Sequence, residues 1–259
     1  MISASLLKLI RSLRHKKYRD QHQLYPAEGE KIVLELIRQH PEGDHRLEQL
    51  FATGDWIRRN KEELDTAGIN FTEATPGQLK KASTLVTPQP VLALVNKPLK
   101  TPDLKELGRS PVLAFESIRD PGNLGSIIRT ADWFGIKHIV CTPDSADLFN
   151  PKVVQSTMGA IVRVGVHYVE LEWLLKEPAM KDKQVYGTFL DGRSIYETTL
   201  EKNPLVLFGN ESRGLSGTYD PYIHTRITIP SFAQPGAGTQ SLNVAASVAI
   251  ICSEIRKRD

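Results

Sequence analysis

The chain has 259 residues, of which 40% are apolar and 24% charged, and a formal net charge of +3 at pH 7. That balance belongs to a globular protein rather than a disordered or membrane-spanning one, and the length makes two domains the default, with one large domain as the alternative. No apolar run reaches the length of a membrane span. The two cysteines, Cys141 and Cys252, stand too far apart for a zinc site or a disulfide framework, so no metal is expected and a cytoplasmic location fits best.

The N-terminal segment is basic. Lys8, Arg11, Arg14, Lys16, Lys17 and Arg19 precede the first acid, Asp20, and such a concentration of positive potential has phosphate as its natural counterpart. Leu6, Ile10 and Leu13 recur at helical spacing, so a solvated helix face explains the same charges equally well. An Arg-rich targeting peptide is a third reading, although Lys8 interrupts the apolar run that a secretory signal needs. Helical patterns follow at 28–39 and 56–67, then an apolar run at 91–95, so residues 1–100 read as a small α/β domain. The stretch 96–111, NKPLKTPDLKELGRSP, has three prolines and no sustained apolar period, which places the junction with a second domain, 101–259, inside it. Its charged centre could form a short helical turn.

Beyond the junction, short β-branched runs alternate with helical patterns. A strand at 112–115 precedes a helix at 124–134, a strand at 139–141, a helical run at 153–158 and a strand at 161–166. The alternation continues through 171–175, 185–189, 205–208 and 227–229 to a final helix at 242–255. This order predicts a parallel sheet flanked by helices, with a ligand site on the loops at the carboxyl ends of the strands.

Three segments carry chemistry. In ESIRDPGNLGSIIRTADWFG, Pro121, Gly122, Asn123 and Gly125 form a turn after a strand, and Arg129 follows where its guanidinium could hold a phosphate. An ordinary connection with a surface arginine is the plainer reading. In LVLFGNESRGLS, an apolar strand runs directly into Gly209, Asn210 and Glu211; glycine there would admit a ligand close to the backbone, and Glu211 could order the loop or accept bonds from hydroxyls. In ITIPSFAQPGAGTQSLNVAASVAI, Ser241 is a helix-cap candidate beside Asn243, ahead of a helix kept narrow by small residues. Close helix packing in a core accounts for that helix as well.

Taken together, these segments resemble the SpoU (TrmH-like) branch of the SPOUT methyltransferases. The matching positions are Asn123, Gly125, Arg129, Thr130, Ala131, Phe134 and Gly135; Gly209, Asn210, Glu211, Gly214 and Leu215; and Ile229, Pro230, Ser241, Leu242, Asn243 and Val244. A shorter likeness in KYRDQHQLYPAEGEKIVLELI, 17–37, is to the ribosomal-protein-like RNA-binding domain that precedes many SpoU domains.

The resemblance implies an α/β catalytic domain whose parallel sheet ends in a deep trefoil knot, an exception to the rule against knots. It implies S-adenosylmethionine held by backbone groups of Gly209, Ile229 and Leu242, which suits the lack of a Rossmann-type glycine loop. It puts Arg129 at the catalytic position, with Asn123, Glu211, Ser241 and Asn243 as site residues that order the loops or touch the reacting nucleotide. A guanidinium is a poor base, so positioning the RNA phosphate and polarising the ribose 2′-hydroxyl is the easier role for Arg129. It further implies a homodimer through the knot region. The expected reaction is methylation of a ribose 2′-hydroxyl, on ribosomal RNA because a separate N-terminal domain typifies the ribosomal enzymes. Transfer RNA is the alternative substrate, and a non-catalytic RNA-binding or ribosome-assembly factor is the alternative class; base methylation belongs to branches lacking this signature. One departure stands out: the loop SFAQPGAGTQ between Pro230 and Ser241 is longer than usual and puts Ser231 where methionine or phenylalanine is common, a candidate lid.

Overall fold

The structure, a computed structural model of the full chain, describes residues 2–98, 101–233 and 241–257. In chain order its helices and strands are α1 (Ala4–Ser12), α2 (Lys16–His22), β1 (Leu24–Glu28), α3 (Glu30–Gln39), β2 (Leu47–Ala52), α4 (Gly54–Arg59), α5 (Lys61–Thr66), β3 (Phe71–Glu73), α6 (Pro76–Ala82), β4 (Val91–Asn96), α7 (Leu104–Arg109), β5 (Val112–Phe115), α8 (Pro121–Trp133), β6 (His138–Cys141), α9 (Pro151–Ser156), β7 (Gly165–Tyr168), α10 (Leu171–Lys176), β8 (Val185–Ser194), β9 (Leu205–Phe208), β10 (Thr225–Thr228) and α11 (Val244–Arg256). They form two compact units: Met1–Leu99 with Asp147–Val162, and Lys100–Ala146 with Arg163–Asp259.

The first unit is built on a four-stranded sheet in the order β1-β4-β2-β3. Strands β1 and β2 run antiparallel to β4, and β3 runs parallel to β2. Pro26 is tolerated within β1 because that strand is at the sheet edge, where a missing N–H costs no ladder bond. Ser3 caps α1 by accepting from the Leu6 N–H, and Ile10 and Leu13 are fully buried, as their helical spacing predicts. The helical pattern at 56–67 divides at Asn60, whose side-chain amide donates to the Trp56 carbonyl at 2.8 Å and so competes with the backbone ladder.

The segment Asp147–Val162 completes this unit. The expected helix at 153–158 is realised as α9, but within the first unit; Ala160–Val162 is a short 3-10 turn, and the expected strand at 161–166 begins only at Gly165. Its Phe149 ring lies 4.9 Å from that of Tyr25, whose hydroxyl bonds His45 Nδ1 at 2.9 Å. Asp147 meets Arg19, which is only 2% exposed: Nη2 and Nε donate to Oδ2 at 2.5 and 3.2 Å, while Nη1 donates to the Leu13 and Arg14 carbonyls at 2.7 and 2.8 Å. Arg19 therefore leaves the set of cations that a phosphate could use.

The second unit holds a six-stranded, all-parallel sheet in the order β10-β8-β9-β5-β6-β7. Strands β5, β6 and β9 are buried along their whole length, as continuous apolar runs require when both sheet faces are covered. From β5 the chain steps outward to β6 and β7, then returns on the other side through β8 and β9. The order thus reverses between β5 and β9, and the loops leaving their carboxyl ends diverge around a crevice. The rings of Phe115 and Phe208 stack below it, with centroids 4.9 Å apart and 14° between planes. Helix α8 packs against α11. The charged centre of the proline-rich stretch is α7, capped by Asp103 through the N–H groups of Lys105 and Glu106. The expected knot involves the chain between β10 and α11, and residues 234–240 of the enlarged loop lie outside the described residues. Among the described residues no helix is long and apolar enough to cross a membrane, and both cysteines are buried and unpaired.

Removing one partner of a buried ion pair strands the other charge. Asp147→Ala should therefore lower stability by about 3 kcal/mol, read as a drop in the urea midpoint; an unchanged midpoint would show that Arg19 finds its partners elsewhere.

Candidate active site

At the exit of β5, Ser117 has a left-handed backbone, φ 53°, which is uncommon for a residue with a side chain. Three partners hold it there. Its N–H donates to Thr142 Oγ1 at 2.8 Å, its hydroxyl to Asp144 Oδ2 at 2.5 Å, and its carbonyl accepts from Asn210 Nδ2 at 3.0 Å. Asp144 also accepts from Thr142 Oγ1 at 2.6 Å and from Arg119 Nη2 at 3.2 Å. These donors, the Ser117 hydroxyl foremost, hold its carboxyl down at about 2. Glu116 Oε2 accepts from the Ser216 N–H at 2.8 Å, tying the same exit to the loop after β9. Sequence reasoning did not single out Ser117, Thr142 or Asp144; the polar run TPDSAD directly after the buried strand β6 was the available signal.

The turn expected at 121–125 is helix. Asp120 caps α8 by accepting from the Asn123 N–H at 2.8 Å, and Pro121 takes the first helical position, where its missing N–H costs nothing. The Asn123 and Leu124 N–H groups, which an open loop could offer to a phosphate, are committed to Asp120 there.

After β9 the chain closes a tight loop. Asn210 and Gly214 exchange both backbone hydrogen bonds, at 3.0 and 2.9 Å, and Asn210 Oδ1 accepts from the N–H groups of Ser212 and Arg213. A Cβ on Gly209 would lie 2.1 Å from the Gly214 carbonyl carbon. The glycine is thus required by the loop's own return rather than by an approaching ligand.

Three sequence-predicted residues meet directly. Asn123 Nδ2 donates to Glu211 Oε1 at 3.3 Å, and Asn243 Nδ2 donates to Asn123 Oδ1 at 3.0 Å. Asn243 is itself the cap of α11, accepting from the Ala245 and Ala246 N–H groups. Ser241, expected as that cap, stands two residues before it and is exposed, because the helix starts only at Val244. The crevice beside this relay has a volume of about 430 Å³; Arg119, Asp120 and Asn123 form one wall and residues 210–213 the other.

Arg129 is not in the relay. It is exposed, and its side chain has no hydrogen bond or ion pair among the described residues. Six residues past Asn123 on α8, it lies roughly 9 Å further along the helix axis and about 120° around it. The expected cofactor residues occupy loops: Gly209 follows β9, half-buried Ile229 follows β10, and Leu242, 50% exposed, precedes α11. Because β9 and β10 flank β8 and run parallel to it, Gly209 and Ile229 leave the sheet at the same end. Among the described residues, the backbone groups of these three make no hydrogen bond with other backbone groups outside the regular elements, which is the donor and acceptor set that a purine edge needs. Among the described residues no group of three His, Cys, Asp or Glu side chains could hold a metal ion.

Residues 110–253 match the model of the SpoU rRNA methylase family, and residues 5–93 match that of the MRM3-like substrate binding domain. The chain is 27% identical to the 23S rRNA (guanosine(2553)-2′-O)-methyltransferase RlmP of Bacillus subtilis, over 96% of this chain and 100% of that protein. Among solved structures it is similar to a TrmH-family protein of Porphyromonas gingivalis, with 36% identity, a TM-score of 0.82 and 100% of both chains covered. It is also similar to an AdoMet-bound rRNA methyltransferase of Sinorhizobium meliloti, with 25% identity, a TM-score of 0.82 and 99% and 97% of the two chains covered.

Two outcomes follow from the loops. Gly209→Ala should cost about 2 kcal/mol, the scale of overpacking, measured by urea denaturation; tolerance without loss would mean that the loop does not close over this residue. The depressed Asp144 carboxyl contributes stability that is complete above its ordinary value of 3.8 and is lost as pH falls toward about 2. Asp144→Asn should therefore flatten the pH dependence of unfolding in that window, and a variant with the wild-type slope would exclude this carboxylate.

Proposed function

The chain belongs to the SpoU rRNA methylase family, and on that premise we propose that it methylates a ribose 2′-hydroxyl of ribosomal RNA, with S-adenosylmethionine as methyl donor. The observation that carries the reading is the relay through Asn123, which joins the loop after β9 to the start of α11 at the sheet's switch point, inside the family-matched span. The ribosomal substrate rests on relatives such as RlmP, matched along its whole length and named for 23S rRNA.

S-adenosylmethionine, when bound, supplies a methyl group on a positively charged sulfur. The backbone groups of Gly209, Ile229 and Leu242 would hold its adenine, which fits their making, among the described residues, no hydrogen bond with other backbone groups outside the regular elements. Glu211, exposed at the loop tip and steadied by Asn123, accepts hydrogen bonds from ribose hydroxyls. Asn243 keeps α11 and Asn123 in register, and Ser241, exposed beside it, contacts the nucleotide. Arg129 holds the phosphate next to the target ribose and polarises the hydroxyl, since a guanidinium offers a fork of donors and is a poor base. Its position away from the relay's face of α8 suits a site completed by a second copy, in a homodimer formed through the knot region. Trp133, one turn further and 85% exposed, is an apolar group that such a partner would cover. The working compartment in this reading is the cytoplasm.

The test is incubation of the purified protein with labelled S-adenosylmethionine and ribosomal RNA from cells lacking the gene; absence of label in 2′-O-methyl nucleosides would refute the reaction. Arg129→Ala should cut methyl transfer by two to three orders of magnitude, the scale of losing one charge-stabilising donor, while calorimetry finds S-adenosylmethionine affinity within about twofold of wild type. Equal loss of both would remove Arg129 from the role given to it.

A further inference from the structure

The N-terminal cations separate into two groups. Arg19 is buried against Asp147, and Lys16 pairs with Asp20 at 3.3 Å, while Asp20 also receives Lys97 at 2.5 Å. The nearby acids are therefore already neutralised. Lys8, Arg11 and Arg14 are exposed and have no anionic partner among the described residues. They border a cavity of about 710 Å³ between α1 and α2, to which the last turn of α6 adds Lys81. No Asp or Glu lines it.

The opposite wall is aromatic. Tyr18 and His22 stand at i and i+4 on one face of α2, His15 is its N-cap residue, and all three border the cavity. Tyr18 is 38% exposed, and its ring contact with His15, at 6.4 Å and 64° between planes, is not a parallel stack. Leu7 and Leu9 supply apolar floor between the walls. Cations along one side and an open aromatic ring on the other match an unpaired nucleotide, which offers a flat base and a phosphate together; a duplex hides its base faces.

We propose that the groove between α1 and α2 binds unpaired nucleotides of the RNA substrate, with Tyr18 stacking on a base and Lys8, Arg11 and Lys81 receiving the adjoining phosphates. The proposal rests on the RNA methyltransferase reading and adds to it a second contact, on the other unit.

The test uses the full chain, with fluorescence anisotropy on a single-stranded oligouridine and on a duplex of the same length. Tyr18→Ala should weaken oligouridine binding roughly tenfold, as loss of one stacked base does, whereas Tyr18→Phe keeps the ring and stays near wild type. The double variant Lys8→Gln/Arg11→Gln should reduce the slope of log affinity against log salt by about 1.4, two single-strand phosphate contacts. With ribosomal RNA, both the Tyr18→Ala and the double variant should raise KM and leave kcat unchanged. Unchanged oligouridine affinity in the double variant, whose side chains are exposed and unneeded for folding, would overturn the proposal; so would equal losses in Tyr18→Ala and Tyr18→Phe, or losses confined to phosphatidylglycerol vesicles. Groove-dependent oligouridine binding by a wild-type protein that methylates no RNA would sink the enzymatic reading and leave the groove standing; methylation with wild-type KM in every groove variant would do the reverse.

Discussion

A carboxylate only accepts hydrogen bonds, whereas a primary amide donates from one end and accepts at the other. Asn123 uses both ends: it donates to Glu211 and accepts from Asn243, so one short side chain fastens the loop after β9 to the start of the last helix. An aspartate there would face Glu211 with a second negative charge, and an apolar residue would satisfy neither neighbour. Each bond is exposed and adds only about 1 kcal/mol. What the arrangement supplies is position, because Asn123 is itself fixed by the Asp120 cap and Asn243 by its own capping bonds.

That relay is possible only because the sheet reverses its order between β5 and β9. The divergence of the loops leaves their polar groups without a strand to pair with, and they pair with one another instead. Ser117 is the clearest case, a left-handed residue kept in place by partners from two other loops. Most of the groups around the crevice are thus spent on holding its shape. Glu211 at the rim and Arg129 on α8 are left with capacity for something else.

What could be read from the sequence follows burial and distance. Strands β5, β6 and β9 were legible because both of their faces are covered and the sequence is apolar throughout. Strand β1 was hidden by Pro26, acceptable only at an edge, and β2 by Glu48 and Gln49, which interrupt its apolar run. The start of α8 was obscured by two glycines, although Asp120 and Pro121 form a cap and first-turn pair. Asn123, Glu211 and Asn243 were legible as fixed positions in three short motifs. Ser117, Thr142 and Asp144 were not, because nothing periodic links residues whose partnership exists only once β5 and β6 lie side by side. The same holds for Arg19 and Asp147, 128 residues apart in the chain.

The return of Asp147–Val162 to the first unit bears on how such a chain is made and inherited. During synthesis Arg19 and Tyr25 leave the ribosome long before Asp147 and Phe149, so the first unit waits, with a buried cation uncompensated, until two strands of the second unit have already emerged. The two units are interleaved along the chain, and no single cut separates them. A recombination event that moved residues 1–99 alone onto another enzyme would leave a helix, a ring and a counter-charge of the first unit behind.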